Sequence, residues 1–376
     1  MSSIPKTMAE FVRAPKWWRT EILTEIVQSA DGVTDLLKGL RERDKKAYFI
    51  VDEILRDQPP FAPIFEQKNA FVFDASASEP RTGDVDRVVA LIRDLPEKPD
   101  VVAGVGGGST MDFAKAVAIC TANPESAATY QGYGLDMKRG ADIWVLPTLP
   151  GTGAEVTPIA VLRGPEKKLG INNNFTAATV AVVDPQLSIG VKPFNRFYSM
   201  MDCFFHHFEI TQSKTSAPSA IEDAWDGRRM ATEVLTQLTK SAGEYDEARA
   251  IESAMASVLG GSSTIGGRVG VSHAISYGLS NSAPKLPHSV AVTISMLACK
   301  DVYKEGGYDE TLKFLELNGM PHPRARDYGI DDTQTGKMTK TALGMEKLWQ
   351  SHFGDDWKKF VDYDFVEDLY KKILAA

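Results

Sequence analysis

The stretch MDCFFHHFE, residues 201–209, sets two adjacent histidines behind an aspartate and ahead of a glutamate. On a helix, side chains at i and i+4 stack on one face, so Asp202 and His206 point the same way. His207 is turned roughly 100° away from His206 at 3.6 residues per turn. Glu209 falls near the same stripe as His206, with no role assigned by spacing. A carboxylate and an imidazole so placed make half of a divalent-metal site. His273 and His288 follow in GVSHAISYGLSNSAPKLPHSVAV, so four of the six histidines fall at 206, 207, 273 and 288. A lone histidine on an apolar helix is more often a satisfied core residue. Spacing by itself does not bring three segments together.

A second group is rich in glycine. DVVAGVGGGSTMDFAKAVAI (100–119) reads as strand, glycine turn and helix start. There the backbone can approach a ligand closely, and the first helical amides face an anion. The spacing is neither G-x-G-x-x-G nor a Walker loop. The same residues also suit a plain turn capped by Ser109 or Thr110. LPTLPGTGAEVT (146–157) is another strand ending in small and hydroxyl-bearing residues, as expected where strand ends meet a dinucleotide.

The elements that must position these groups differ between the two halves. Strand-like runs at 47–52, 71–73, 100–105, 143–148 and 179–184 alternate with amphipathic stretches such as 85–97 and 110–122. That alternation predicts a parallel sheet covered on both faces. Beyond residue 190 helical periodicity dominates, as in 220–240 and 247–261. The expectation is a Rossmann-like α/β dinucleotide-binding domain over 1–190 and an all-α metal-binding domain over 191–376.

Composition narrows the partners. The 376 residues are 43% hydrophobic and 24% charged, as in an ordinary globular chain. A formal charge of −8 argues against nucleic acid or an anionic membrane, and leaves a small-molecule substrate. No apolar run is long enough for a membrane span, and MSSIPKTMAEFVRAPKWW lacks the apolar core of a signal peptide. Three scattered cysteines, Cys120, Cys203 and Cys299, predict a reducing cytoplasm rather than a disulfide framework.

Taken together, GVGGGSTMDFAKAVAI, PTLPGTGAEVTPIAV, DPQL and the D-x-x-x-H of MDCFFHHFE occur in the order in which they occur in the iron-containing, or group III, alcohol dehydrogenases, and the chain resembles that family along most of its length. The resemblance implies NAD and one divalent metal, Fe2+ or Zn2+, beside the nicotinamide ring, held by Asp202, His206, His273 and His288. It carries over Gly107, Gly108, Ser109, Thr148, Thr152 and Lys168 as cofactor contacts, and Asp52 at the adenosine ribose. A carboxylate there favours NAD, because it repels a 2′-phosphate. It also implies a homodimer.

Two positions depart from the family pattern. Tyr277 stands where many members have a histidine four residues beyond the third ligand, and QSADG (28–32) replaces the expected G-x-G. Tyr277 could line a substrate pocket, relay a proton or simply pack in the bundle. GVSHAISYGLSN, KKLGINNNF, MEKLWQSHFGDDW and EDLYKKI are similar to the subgroup that oxidises the terminal hydroxyl of 3-deoxy-D-manno-octulosonate. The implied reaction is NAD-linked oxidation of a primary hydroxyl of a sugar or sugar acid to the aldehyde. Its alternatives are NAD(P)H-dependent reduction of a small aldehyde and, sharing the architecture, a dehydroquinate-synthase-like metal-dependent cyclase with no net NADH.

Overall fold

Short runs of β-branched and aliphatic residues, most deeply buried in the middle strands, form the central sheet of the computed structural model, which describes residues 4–76, 79–237, 245–304 and 306–376. The strands are β1 (Glu25–Gln28), β2 (Ala47–Asp52), β3 (Ala70–Phe73), β4 (Val101–Gly106), β5 (Gly132–Tyr133), β6 (Asp142–Pro147), β7 (Ile159–Arg163), β8 (Lys168–Asn172) and β9 (Val180–Val183). Six of them form one parallel sheet in the order β1-β9-β6-β4-β2-β3. Its core includes Phe49, Val51, Val101, Ala103, Val105, Leu146 and Val182, each nearly sealed from water. Strands this apolar on both sides need helices over them. The helices of this half are α1 (Met8–Phe11), α2 (Gly32–Glu42), α3 (Ala62–Phe65), α4 (Thr82–Asp94) and α5 (Gly108–Cys120).

The sequence pattern did not show a second, three-stranded sheet, β5-β8-β7. In it β7 and β8 are antiparallel and β5 joins β8 in parallel. QSADG proves to be the turn from β1 into α2. A Cβ on Gly32 would lie 2.7 Å from Leu146 Cδ1 and 2.9 Å from Asp184 Cβ. Asp184 also accepts the Gly32 N–H at 2.9 Å, so the close approach requires glycine.

The second unit is helical: α6 (Pro193–Thr211), α7 (Pro218–Gln237), α8 (Glu247–Gly266), α9 (Val271–Ser282), α10 (His288–Ala298), α11 (Tyr308–Leu317), α12 (Thr335–Leu343), α13 (Glu346–Phe353) and α14 (Tyr363–Ala375). Residues 238–240 of the periodic stretch 220–240 lie outside the described residues. The chain divides into two compact units, one of Met1–Lys16 with Ile22–Gly190 and another of Trp17–Glu21 with Val191–Ala376. Trp17–Glu21 thus belong to the helical unit, although they fall within the 1–190 span expected for the α/β domain. Buried Asp223 of α7 explains the difference: it accepts the backbone N–H of Arg19 at 2.8 Å and of Thr20 at 2.9 Å. Among the described residues no helix is long and apolar enough to cross a membrane.

Candidate functional site

Helix α6 begins with Pro193 at its first position, where a missing N–H costs nothing. It then runs 19 residues, long enough to carry Asp202 and His206 in its interior as a rigid pair. His273 comes from the first turn of α9 and His288 opens α10. The donor atoms of Asp202, His206 and His273 all lie within 4.8 Å of one another. The His206 and His273 rings stack at 4.9 Å and 15°. His288 is beside this group rather than in it, with Nε2 4.0 Å from Asp202 Oδ1. Tyr277, one turn along α9, has its ring 6.4 Å from that of His288.

As a hydrogen-bonded protein interior this cluster is incomplete. Both oxygens of Asp202, Nδ1 of His206 and Nε2 of His273 are buried without a hydrogen-bond partner among the described residues. Orphaned buried polar atoms are costly, and one carboxylate with imidazoles is a donor set for iron or zinc. The residues therefore fit a divalent cation.

Charges within the group support that reading. Burial opposes ionisation of Asp202, yet His206, His288 and His273 hold its carboxyl well below the usual range. Burial pushes His206 down to about 4. Burial also works against a charged His273, but Glu209 and Asp202 outweigh it and hold the imidazole up to about 9. A cation would displace that proton and take the same carboxylate field.

His207 faces elsewhere, as its helical angle predicts. It is fully buried, with Nε2 2.9 Å from the carbonyl oxygen of Ala256. Its ring lies over Gly227 of α7 and near Gly260 of α8. Burial pushes its imidazole down to about 3, so it is neutral and part of the packing.

In the α/β unit the nucleotide candidates gather at the carboxyl ends of adjacent parallel strands. Asp52 ends β2, Gly107 and Gly108 follow β4, and Thr148 follows β6. Thr148 donates its N–H to the Gly106 carbonyl at 3.0 Å, which ties the two turns together. Gly107 caps α5 without a side chain, leaving Gly108 and Ser109 at the amide-rich end of a 13-residue helix. A Cβ on Gly108 would lie 2.7 Å from Thr152 Oγ1, so the second loop rests against the first. Asp52 accepts the Ile54 N–H and the Thr110 hydroxyl, each at 3.3 Å. Burial pushes its carboxyl upward.

Lys168 stands on the other sheet, in β8, and is paired with Glu79, which Arg163 also binds at 2.8 Å. No local sequence pattern signals this partnership. Nor does one signal Lys115, fully buried in α5, whose Nζ donates to the carbonyls of Thr157 and Ile159 at 3.1 and 3.0 Å. That ammonium fastens the end of the 146–157 loop to the helix that carries the glycine turn.

The family model described as iron-containing alcohol dehydrogenase matches residues 24–185. A 1-propanol dehydrogenase of Salmonella typhimurium is 30% identical over 274 residues, covering 70% of this chain and 68% of the relative. Long-chain-alcohol dehydrogenase 1 of Geobacillus thermodenitrificans is 32% identical over 217 residues, 57% of this chain and 54% of the relative. The chain thus spans little more than half the length of the first curated relatives it matches. A sulfoacetaldehyde reductase from Bifidobacterium kashiwanohense, solved in complex with NAD+, has the same fold: TM-score 0.77 at 21% identity, covering 96% of this chain and 100% of that one.

Proposed function

Because the chain belongs to the iron-containing alcohol dehydrogenase family, we propose that it is an NAD-linked, divalent-metal-dependent alcohol dehydrogenase. The observation that carries this reading is the convergence of Asp202, His206 and His273, with donor atoms left unpaired among the described residues. His288 completes the proposed ligand set by a small movement of its ring from its place 4.0 Å from Asp202.

A divalent cation there supplies a Lewis acid that lowers the pKa of an alcohol hydroxyl, and NAD supplies the hydride acceptor. The chain's residues do the positioning. Asp202 contributes the negative charge and, with His206, a spacing fixed by one helical turn. Gly107, Gly108 and Ser109 offer backbone amides to the pyrophosphate, with Thr148 and Thr152 closing the loops behind them. Tyr277 projects from the same helix as His273 and is assigned to the substrate pocket. Lys168 is assigned a supporting role through its pair with Glu79.

The substrate we propose is a primary hydroxyl of a sugar or sugar acid resembling 3-deoxy-D-manno-octulosonate. The segments around Tyr277, Asn172–Asn174 and Trp349 support this choice. We place the enzyme in the cytoplasm as a homodimer. The test is NADH formation against sugar acids, sugars and simple alcohols, with Fe2+ or Zn2+ restored to stripped enzyme. Sugar acids should lead in kcat/KM. Faster reduction of small aldehydes would reverse the assigned direction, and no net NADH with any alcohol would sink the dehydrogenase itself.

Coenzyme choice gives a separate check. With Asp52→Gly, the NAD:NADP ratio of kcat/KM should fall by about tenfold or more as a like-charge contact is removed. An unchanged ratio removes Asp52 from the ribose.

A further inference from the structure

Glu209 is a carboxylate that the proposed reaction does not use, yet it is one of the most heavily bonded side chains in the helical unit. It is 1% exposed. Oε2 accepts the Gly270 N–H at 2.8 Å and faces His273 Nδ1 at 2.5 Å. Oε1 accepts the Ser272 N–H at 2.7 Å, the Ser272 hydroxyl at 2.8 Å and the Tyr303 hydroxyl at 2.5 Å. Tyr303 in turn accepts the Val271 N–H at 2.8 Å. Helix α9 has Gly270 at its N-cap and no side-chain cap of its own, so Glu209 reaches across from α6 to close its open amides.

Five donors converge on one carboxylate, and one is a ring nitrogen of a candidate metal ligand. An ionised carboxylate can only accept. Nδ1 of His273 must then carry the hydrogen, which in the neutral ring leaves the lone pair on Nε2. Nε2 is the nitrogen that lacks a partner among the described residues and points to Asp202 Oδ1 at 3.6 Å. Asp202, His206 and Glu209 lie on the same helix, so α6 carries two candidate ligands and orients a third.

We propose that Glu209 is a positioning residue that fixes the ring orientation and tautomer of His273, and thereby sets the affinity of the site for a divalent cation. This rests on the metal reading above. Outer partners of metal-bound histidines raise ligand basicity and hold the ring, and their loss typically weakens metal binding about 10- to 100-fold. Tyr303 provides the internal control. It bonds the same carboxylate and the same helix end, but does not bond His273.

The experiment titrates stripped native protein, Glu209→Gln and Tyr303→Phe with Co2+, reading the visible bands of the bound ion, alongside the melting temperature of each metal-free form. Both variants should melt lower than the native protein. Only Glu209→Gln should bind Co2+ about 10- to 100-fold more weakly. Equal binding by native protein and Glu209→Gln would overturn the proposal, as would an equal loss in Tyr303→Phe, which would reduce Glu209 to a helix cap. Failure of native protein to bind Co2+ would overturn the metal reading and this one with it. Should Glu209→Gln not fold, the native chain still decides. In Zn2+-loaded protein labelled with 15N-histidine, the His273 ring proton should couple to Nδ1, and coupling to Nε2 would refute the assignment.

Discussion

Replacing His206 with alanine is expected to strip the metal and nearly abolish turnover, while His207→Ala keeps the metal. His206 shares a face of α6 with Asp202, and its donor lies within 4.8 Å of those of Asp202 and His273. Removing it leaves Asp202 and one imidazole in close reach, with the proposed fourth ligand His288 standing 4.0 Å from Asp202. A Lewis acid contributes several kcal/mol of transition-state stabilisation, so its loss should lower kcat/KM by about a thousandfold or more. His207 is one residue away and does something different. Its ring is sealed among α6, α7 and α8 and bonded to the Ala256 carbonyl. Its truncation should cost about 2–4 kcal/mol of stability through the cavity left behind, with metal content per folded chain unchanged. Metal analysis and thermal melts of the two purified variants separate these outcomes. Equal metal loss in both would show that the angular argument picked the wrong histidine.

The same helix shows how much a sequence discloses. D-x-x-x-H is a local pattern, and helical spacing converts it directly into a shared face. Strand β2 was equally readable, because AYFIVD is an unbroken apolar run ending at a charge, and the strand is Ala47–Asp52. The parallel sheet followed from strand-helix alternation. What escaped was long-range or weakly patterned. KLGIN carries a glycine and a lysine, so β8 lacks a strand signal, and its pairing with β7 depends on tertiary context. Trp17–Glu21 joins the helical unit through Asp223, more than two hundred residues away in sequence. Glu209 was visible as a neighbour of the ligand stripe. Its five donors come from residues 270–273 and 303, and no local rule pairs those with residue 209.

Gly227→Ala is expected to damage the helical unit severely, against the ordinary preference of helices for alanine. Alanine in a helix interior normally gains about 1 kcal/mol over glycine, and Gly227 is inside the 20-residue helix α7. Here a Cβ would fall 1.9 Å from His207 Cε1, 2.2 Å from Nε2 and 2.5 Å from Nδ1. Those atoms belong to a flat ring that is fully buried, bonded at Nε2 and close to Gly260 on another side. The ring cannot step aside as the tip of a flexible chain would, so α6 and α7 must separate or the ring must abandon its bond. Overpacking of this kind costs about 1–3 kcal/mol and occasionally more; the depth of overlap puts Gly227→Ala at about 3 kcal/mol net destabilisation. His207→Ala removes the atoms that Gly227→Ala collides with, so the double variant should be more stable than Gly227→Ala alone. Denaturant melts of the two single variants and the double variant should give a coupling of at least about 1 kcal/mol, where independent sites would add. Additive losses, or a Gly227→Ala protein as stable as the native one, would mean that the ring and the helix do not meet as described. The expected coupling instead makes His207 the reason that α7 carries glycine at this position, and separates its packing role from the metal role of its neighbour by a measurement that needs no metal at all.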